Sequence, residues 1–429
     1  MSPRPLALTG ARLIDPAEGR DGPGWLLVKD GRIADLGAGE AASLPDEAER
    51  IDCSGAVLAP GLIDLRVKTG EPGAEHRETL ESAAQAAAAG GVTTIVLQPD
   101  TDPPVDQPAM VDFLARRARD LNLVNVLTAG AATQGLRGER MAEIGLMAEA
   151  GAAYFTDADQ VITDSQVLRR VLAYAGGFNA LVAHRPADPW LTRGACATEG
   201  ELAARMGLPG APAAAERIGL ERDLVLAELT GGRLLADQIT TGAALEAVER
   251  ALARGVEASV SVGIAHLCFN ELDIGDYRTF FRLNPPLRAE DDRRALIEAL
   301  RDGRIDVVTS AHTPAPAEDK RLPFSEALPG VVGLETLLSA LVGLHHEEGV
   351  DLIDALRPVT CGPAELLGLP SGRLAEGAPA DLVLFDPNAP RRFDAAQLRS
   401  RSKNSPFDGR TLQGVVRRTM VGGRIIHQA

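Results

Sequence analysis

Residues 60–73 read PGLIDLRVKTGEPG. The apolar run 58–65 ends in two cations, Arg66 and Lys68, and then in a Gly-Glu-Pro-Gly segment that breaks regular structure. Short, apolar and bounded by turn residues, the run reads as a buried strand. Further apolar runs fall at 94–98, 124–129, 152–156, 180–183, 234–239, 258–263 and 306–309. Helix-like runs at 79–89, 108–119, 139–149, 166–174, 243–253 and 291–300 separate most of them. Strands alternating with helices imply parallel pairing. Eight such units predict a closed (β/α)8 TIM barrel of the α/β class, with its chemistry at the carboxyl ends of the strands. An open doubly wound sheet is the rival arrangement. The stretch 185–232 is longer than a plain crossover and predicts inserted helices or a loop near the site.

Both ends of the chain read differently. Runs at 6–14, 25–29 and 32–36 are β-like, with Asp30-Gly31 as a hairpin turn. At the other end, 381–385, 414–421 and 424–427 repeat the pattern around Gly422-Gly423. One small β-sandwich domain made from both termini is expected. The division is 1–57 and 372–429 for the sandwich and 58–371 for the barrel.

The 429 residues are 45% apolar and 24% charged, which excludes a disordered chain, a collagen-like repeat and a coiled-coil rod. Aromatics make up only 3%, so the core is built from small aliphatic side chains. With 44 Lys and Arg against 60 Asp and Glu, the net charge is −16. An acidic surface argues against binding nucleic acid or an anionic membrane. Cys53, Cys196, Cys268 and Cys361 lie far apart with no metal-binding spacing, which suits free thiols in a reducing compartment. No window reaches the ~18 apolar residues of a membrane span, and no leader-like segment opens the chain, so a cytoplasmic protein is expected.

Several blocks carry a resemblance. PGLIDLRVKTGEPG is similar to the first-strand D-x-H-x-H signature of the amidohydrolase superfamily, and its tail resembles the dihydroorotases of the long bacterial type. LQPDTDPPVD at 97–106, GLPGAPAAAE at 207–216 and RLNPPLR at 282–288 look like further blocks of that family. So do LPGVVGLET at 328–336, GRLAEGAPADLVLFDP at 372–387 and SKNSPFDGR at 402–410. The likeness is collinear over nearly the whole chain. It implies cleavage of a cyclic amide at a zinc centre, with an Asp moving the proton.

Carried over position by position, the implied site is degenerate. The two first-strand histidines fall on Arg66 and Lys68, which offer no lone pair while charged. The bridging acid falls on Asp157, with Asp159 nearby, and the fifth-strand histidine on His184; both keep their type. The acidic pair that follows is Pro186 and Ala187. The sixth-strand histidine becomes Gln238, a poor zinc ligand, and its neighbouring histidine is Leu235. The proton-handling Asp becomes Ala311. His312 is retained, while the last histidine of that block is Ala315. Among substrate-orienting groups, the Arg of R-E-P-G is Gly70 and the loop Asn is Asp100, whose charge disfavours an anionic substrate. Asn284 survives. His76, His266 and His312 are the side chains from which a remodelled site could draw, whereas His345 and His346 sit in a helix-like run.

Two functions are weighed on these grounds. The first is a catalytically inactive dihydroorotase homologue without metal or other cofactor. The resemblance then implies a structural partner of aspartate transcarbamoylase, as a homo- or hetero-oligomer, in pyrimidine biosynthesis. In that reading Arg66 or Lys68 pairs with Asp157 and stands in for the metal. The alternative is an active cyclic amidohydrolase with a remodelled centre. A pocket that binds a small molecule without turning it over is a third class.

Overall fold

The computed structural model describes residues 4–41 and 44–429. Its first layer is the sandwich domain built from both chain ends. The N-terminal segment supplies strands Leu6–Asp15, Arg20–Lys29, Arg32–Ala38, Glu49–Asp52 and Val57–Pro60. Leu382–Arg392, Thr411–Val421 and Arg424–Gln428 come from the C-terminal segment. The two contributions meet where Val57–Pro60 runs antiparallel to Leu382–Arg392, with Leu58 opposite Leu384. Leu8, Leu13, Leu26, Leu58, Leu382 and Leu384 share one buried core. Both hairpin turns have two successive residues with positive φ, Asp30-Gly31 and Gly422-Gly423. That backbone matches the right-handed twist of the flanking strands.

Eight parallel strand positions form the barrel. They are Leu62–Val67, Val92–Leu97, Asn125–Thr128 continued by Gly130–Ala131, Phe155–Thr156, Val182–His184, Leu234–Ala236, Ala258–Gly263 and Val307–Thr309. The third strand changes partner at its break. Ala129 N donates to Leu97 O on one side, and Gly130 N donates to Tyr154 O on the other. The ring closes through a parallel bridge from Val67 to His312 and a bond from Lys68 N to His312 O. The rival open sheet is thereby excluded.

Helix Leu80–Ala89 shows how so few aromatics make a core. Thr79 and Ser82 cap its start reciprocally, and a nearly continuous alanine face lies buried along it. Small side chains bring helix and strand close together.

Two expectations change. The run 58–65 is not one strand. It divides at Gly61, where Val57–Pro60 belongs to the sandwich and Leu62–Val67 to the barrel. A Cβ at Gly61 would lie 2.1 Å from the Thr93 side chain, so only glycine lets the chain cross between domains. The helix read at 139–149 is confined to Ile144–Glu149. Met141 is drawn instead into a bridge with Thr133, and Gly138 turns with φ 69°. The long crossover does carry inserted structure: helices Glu201–Met206 and Ala214–Thr230, and a short ladder of Ala197–Thr198 on Gly210–Ala211. Among the described residues no helix is long and apolar enough to cross a membrane.

Candidate active site

The carboxyl ends of the barrel strands bring most of the singled-out side chains to one mouth. Arg66, near the end of the first strand, is its hub. Its Nη2 donates to Asp159 Oδ1 at 2.5 Å, and its Nη1 donates to Asp237 Oδ2 and weakly to Gln98 Oε1. Lys68, two residues on and facing the same way, donates from Nζ to Asp100 Oδ2 at 2.5 Å and to Asp159 Oδ2. Asp237 also accepts from Ser261 Oγ at 2.7 Å. Burial works against the Asp159 charge, yet Lys68 and Arg66 outweigh it and hold that carboxyl well below its ordinary range.

The pairing with Asp157 is therefore corrected: the cations go to Asp159, Asp237 and Asp100. Asp157 points elsewhere. Its carboxylate accepts the backbone N–H of Thr133 at 2.9 Å and the Thr133 hydroxyl, and burial raises its pKa. His184 is equally occupied. Its Nε2 accepts from Ile162 N at 2.9 Å, which leaves Nδ1 to donate to Asp223 Oδ2 at 2.6 Å. Neither ring nitrogen keeps a free lone pair. The charge of Asp100, read as hostile to an anion, is neutralised by Lys68.

A cleft opens beside this cluster, lined by Arg66, Asp159, Gln238, His266, Asn284 and Ala311 among others. Its free space is about 30 Å³, room for about two waters. Gln238 Nε2 donates to Thr309 Oγ1 at 2.9 Å. Gly263 is the point on which Gln238, His266 and Ala311 converge. A Cβ there would meet Gln238 Oε1 at 3.0 Å, His266 Nδ1 at 3.2 Å and the Ala311 methyl at 3.5 Å. His266 donates from Nε2 to Pro285 O at 3.1 Å, so Nδ1 carries the lone pair and has no partner. Burial pushes this imidazole down to about 4, so it is neutral at pH 7. Ala158, Gln238 and Ala311 all hold left-handed backbone, with φ of 54°, 63° and 50°. Such conformations cost non-glycine residues about 1–3 kcal/mol and cluster at functional sites.

Other candidates lie off the cleft. His312 is fully buried; its Nδ1 accepts from Gly333 N and its Nε2 lies 3.4 Å from Glu78. It is a packing residue, not a pocket remnant. His76 is exposed on the loop after the first strand. At Gly70 a Cβ would lie 1.8 Å from Ala74 O, so the tucked loop admits no orienting arginine. Asn284 stands exposed at the rim and accepts from Arg185 Nη1 at 2.6 Å. Sequence reasoning missed Asp237 and Arg185. An acid directly after the apolar run 234–236, at the catalytic end of a barrel strand, was the available signal for Asp237.

Comparison with known proteins completes the picture. The family profile described as Dihydro-orotase-like matches residues 55–242, and that of the Amidohydrolase family matches 319–427. Proteins named dihydroorotase from Anaplasma phagocytophilum and Anaeromyxobacter dehalogenans are 39% and 38% identical, over 99% of this chain and 95% and 98% of theirs. In structure the chain is similar to an L-hydantoinase (dihydropyrimidinase) from Arthrobacter aurescens. That match has a TM-score of 0.88 and 24% identity, over 100% of this chain and 96% of the other. This likeness supports the barrel-plus-sandwich fold.

Full-length relatives that carry the name of an active enzyme overturn the first function read from the sequence, the inactive scaffold. The expectation that no cofactor is used falls with it, since the same likeness implies zinc. The side chains placed here do not make a zinc site, however. Zinc needs three or four donors with free lone pairs. Arg66 and Lys68 supply none, His184 has both nitrogens engaged, and among the described residues no three His, Cys, Asp or Glu side chains group to hold a metal.

Proposed function

We propose, from the premise that this chain belongs to the dihydroorotase family, that it hydrolyses the C–N bond of an anionic cyclic amide at its barrel mouth. The observation that carries the reading is identity of 36–39% to proteins named dihydroorotase along 99% of the chain. In the reaction, the oxygen of a water molecule bonds to the amide carbonyl carbon, the ring C–N bond breaks, and the proton that the water gives up passes to the leaving nitrogen.

The remodelled mouth offers groups suited to these tasks. Arg66 and Lys68 are fixed positive charges, held by acids, toward which a carbonyl oxygen can polarise. Asn284 at the rim can hydrogen-bond the carboxylate of an anionic ring. His266 Nδ1 is a free proton acceptor in the cleft lining. Aspartate transcarbamoylase as an assembly partner, and a cytoplasmic setting, belong to the same reading and rest on the resemblance of the sequence blocks.

Purified full-length chain, as isolated and after incubation with zinc, should interconvert dihydroorotate and its ring-opened carbamoyl acid. Absence of turnover in both directions and both preparations overturns the reading. His266→Asn should lower kcat by about 10²-fold or more while leaving KM within a few fold. An unchanged kcat removes His266 from the chemistry. Copurification with the transcarbamoylase in equimolar amounts supports the partner, and separate elution refutes it.

A further inference from the structure

Next to the mouth cleft, and sharing Asn284 and Pro329 with it, lies a second cavity of about 160 Å³. Three arginines line it: Arg185, Arg282 and Arg288. Their partners account for only part of their hydrogen-bonding capacity. Arg288 is satisfied, donating to Thr240 Oγ1 and Thr198 Oγ1 and lying 3.5 Å from Glu216. Arg185 makes one bond, to Asn284 Oδ1, and its buried Nε has no acceptor. Arg282 donates only to the carbonyls of Leu283 and Ala195, and its buried Nε is likewise without an acceptor. No carboxylate lies within salt-bridge distance of Arg185 or Arg282 among the described residues.

Glu216 is the acid in this lining, and it is already committed. It accepts from the backbone N–H and the hydroxyl of both Thr240 and Thr241, besides facing Arg288. Pro186 and Ala187 fill the adjacent wall without charge. Burial accordingly pushes the guanidinium pKa of both Arg185 and Arg282 down. Two half-buried guanidiniums with no carboxylate in contact, each with a buried Nε lacking an acceptor, are costly unless an anion joins them. A planar fork of N–H donors fits the oxygens of a carboxylate or a phosphate.

We infer that the Arg185–Arg282–Arg288 cavity is a binding site for a small oxyanion, a carboxylate or phosphate group, beside the barrel mouth. The site does not depend on turnover at the mouth. Its occupant bridges Arg185 and Arg282, and the committed Glu216 carboxylate forms the far wall.

The test uses the full chain and two probes, inorganic phosphate and malonate, titrated at constant ionic strength set with sodium chloride. The readout is the shift in thermal midpoint, which for a ligand of the native state grows as ln(1 + [L]/Kd). At least one probe should give an upward shift that follows this logarithmic form and that sodium chloride alone does not give. The tighter of the two identifies the class as phosphate or carboxylate. Arg282→Met and Arg185→Gln should each weaken Kd at least tenfold, whereas the surface variant Arg254→Met leaves it unchanged. Arg282 also holds two backbone carbonyls, so if that variant fails to fold, Arg185→Gln decides alone. No shift beyond that of sodium chloride from either probe, or an unchanged Kd in the folded variants, overturns the site.

Discussion

Two regions of the same barrel mouth treat the positions of the implied metal site in opposite ways. At the first strand the replacements are cations, and the structure answers with acids: Arg66 and Lys68 gather Asp100, Asp159 and Asp237 into one network. At the fourth and fifth strands Asp157 and His184 keep the residue types that the family resemblance assigns. Even so, Thr133 donates to the Asp157 carboxylate, Ile162 N–H takes the His184 Nε2 lone pair, and Asp223 takes the Nδ1–H. The changed end stays charged and open to the cleft, while the unchanged end has become buried hydrogen-bonded packing. Retained identity is thus a poorer guide to chemistry than retained bonding capacity.

The contrast can be broken by substitution. Arg66→Met should have the largest effect. It leaves Asp237 buried without its partner, and loss of one member of a buried pair costs about 3–5 kcal/mol. Urea unfolding measures this, and a loss below about 1 kcal/mol would show that the network does not hold the mouth together. His184→Ala should cost less, about 1–3 kcal/mol, because it orphans a neutral N–H and the Asp223 oxygen that accepts from the imidazole. If the two losses prove equal, the two ends are not different in kind.

A third test reads pH. The Asp159 carboxyl is held below its ordinary range, so its stabilising contribution is complete above pH ~4, the unfolded value, and fades as pH falls further. Lys68→Met removes one cause of the lowering. The stability gap between wild type and this variant should therefore be level from pH 7 down to about pH 5 and narrow only as pH falls below ~4. A gap independent of pH would mean that Lys68 acts by packing. Smallest of all, Arg254→Ala breaks an exposed pair with Glu228 and should leave the urea midpoint nearly unchanged. It sets the baseline against which the mouth is judged.

Much of the architecture was legible because strand and helix patterns depend on neighbours a few residues away. The βα alternation predicted the barrel, and the two paired turn signals predicted hairpins at Asp30-Gly31 and Gly422-Gly423. The break at Gly61 was hidden, since its cause is the Thr93 side chain on another strand. At the site, the absence of histidine at positions 66, 68 and 238 could be read directly. The destination of the resulting charges could not. Asp157 was expected to take them and Asp159 does, because a shift of two residues in a loop after a short strand redirects a side chain entirely.

The order of residues alone determined the donors and charges available: two cations at the first strand end, glutamine and alanine where a ligand and a base are implied, and a glycine where an arginine is. Only the folded chain decided which of them meet. Whether a lone pair or a guanidinium N–H is free depends on groups tens to hundreds of residues away. The occupied nitrogens of His184, the open Nδ1 of His266 and the unpaired Nε of Arg185 and Arg282 therefore appear only in three dimensions.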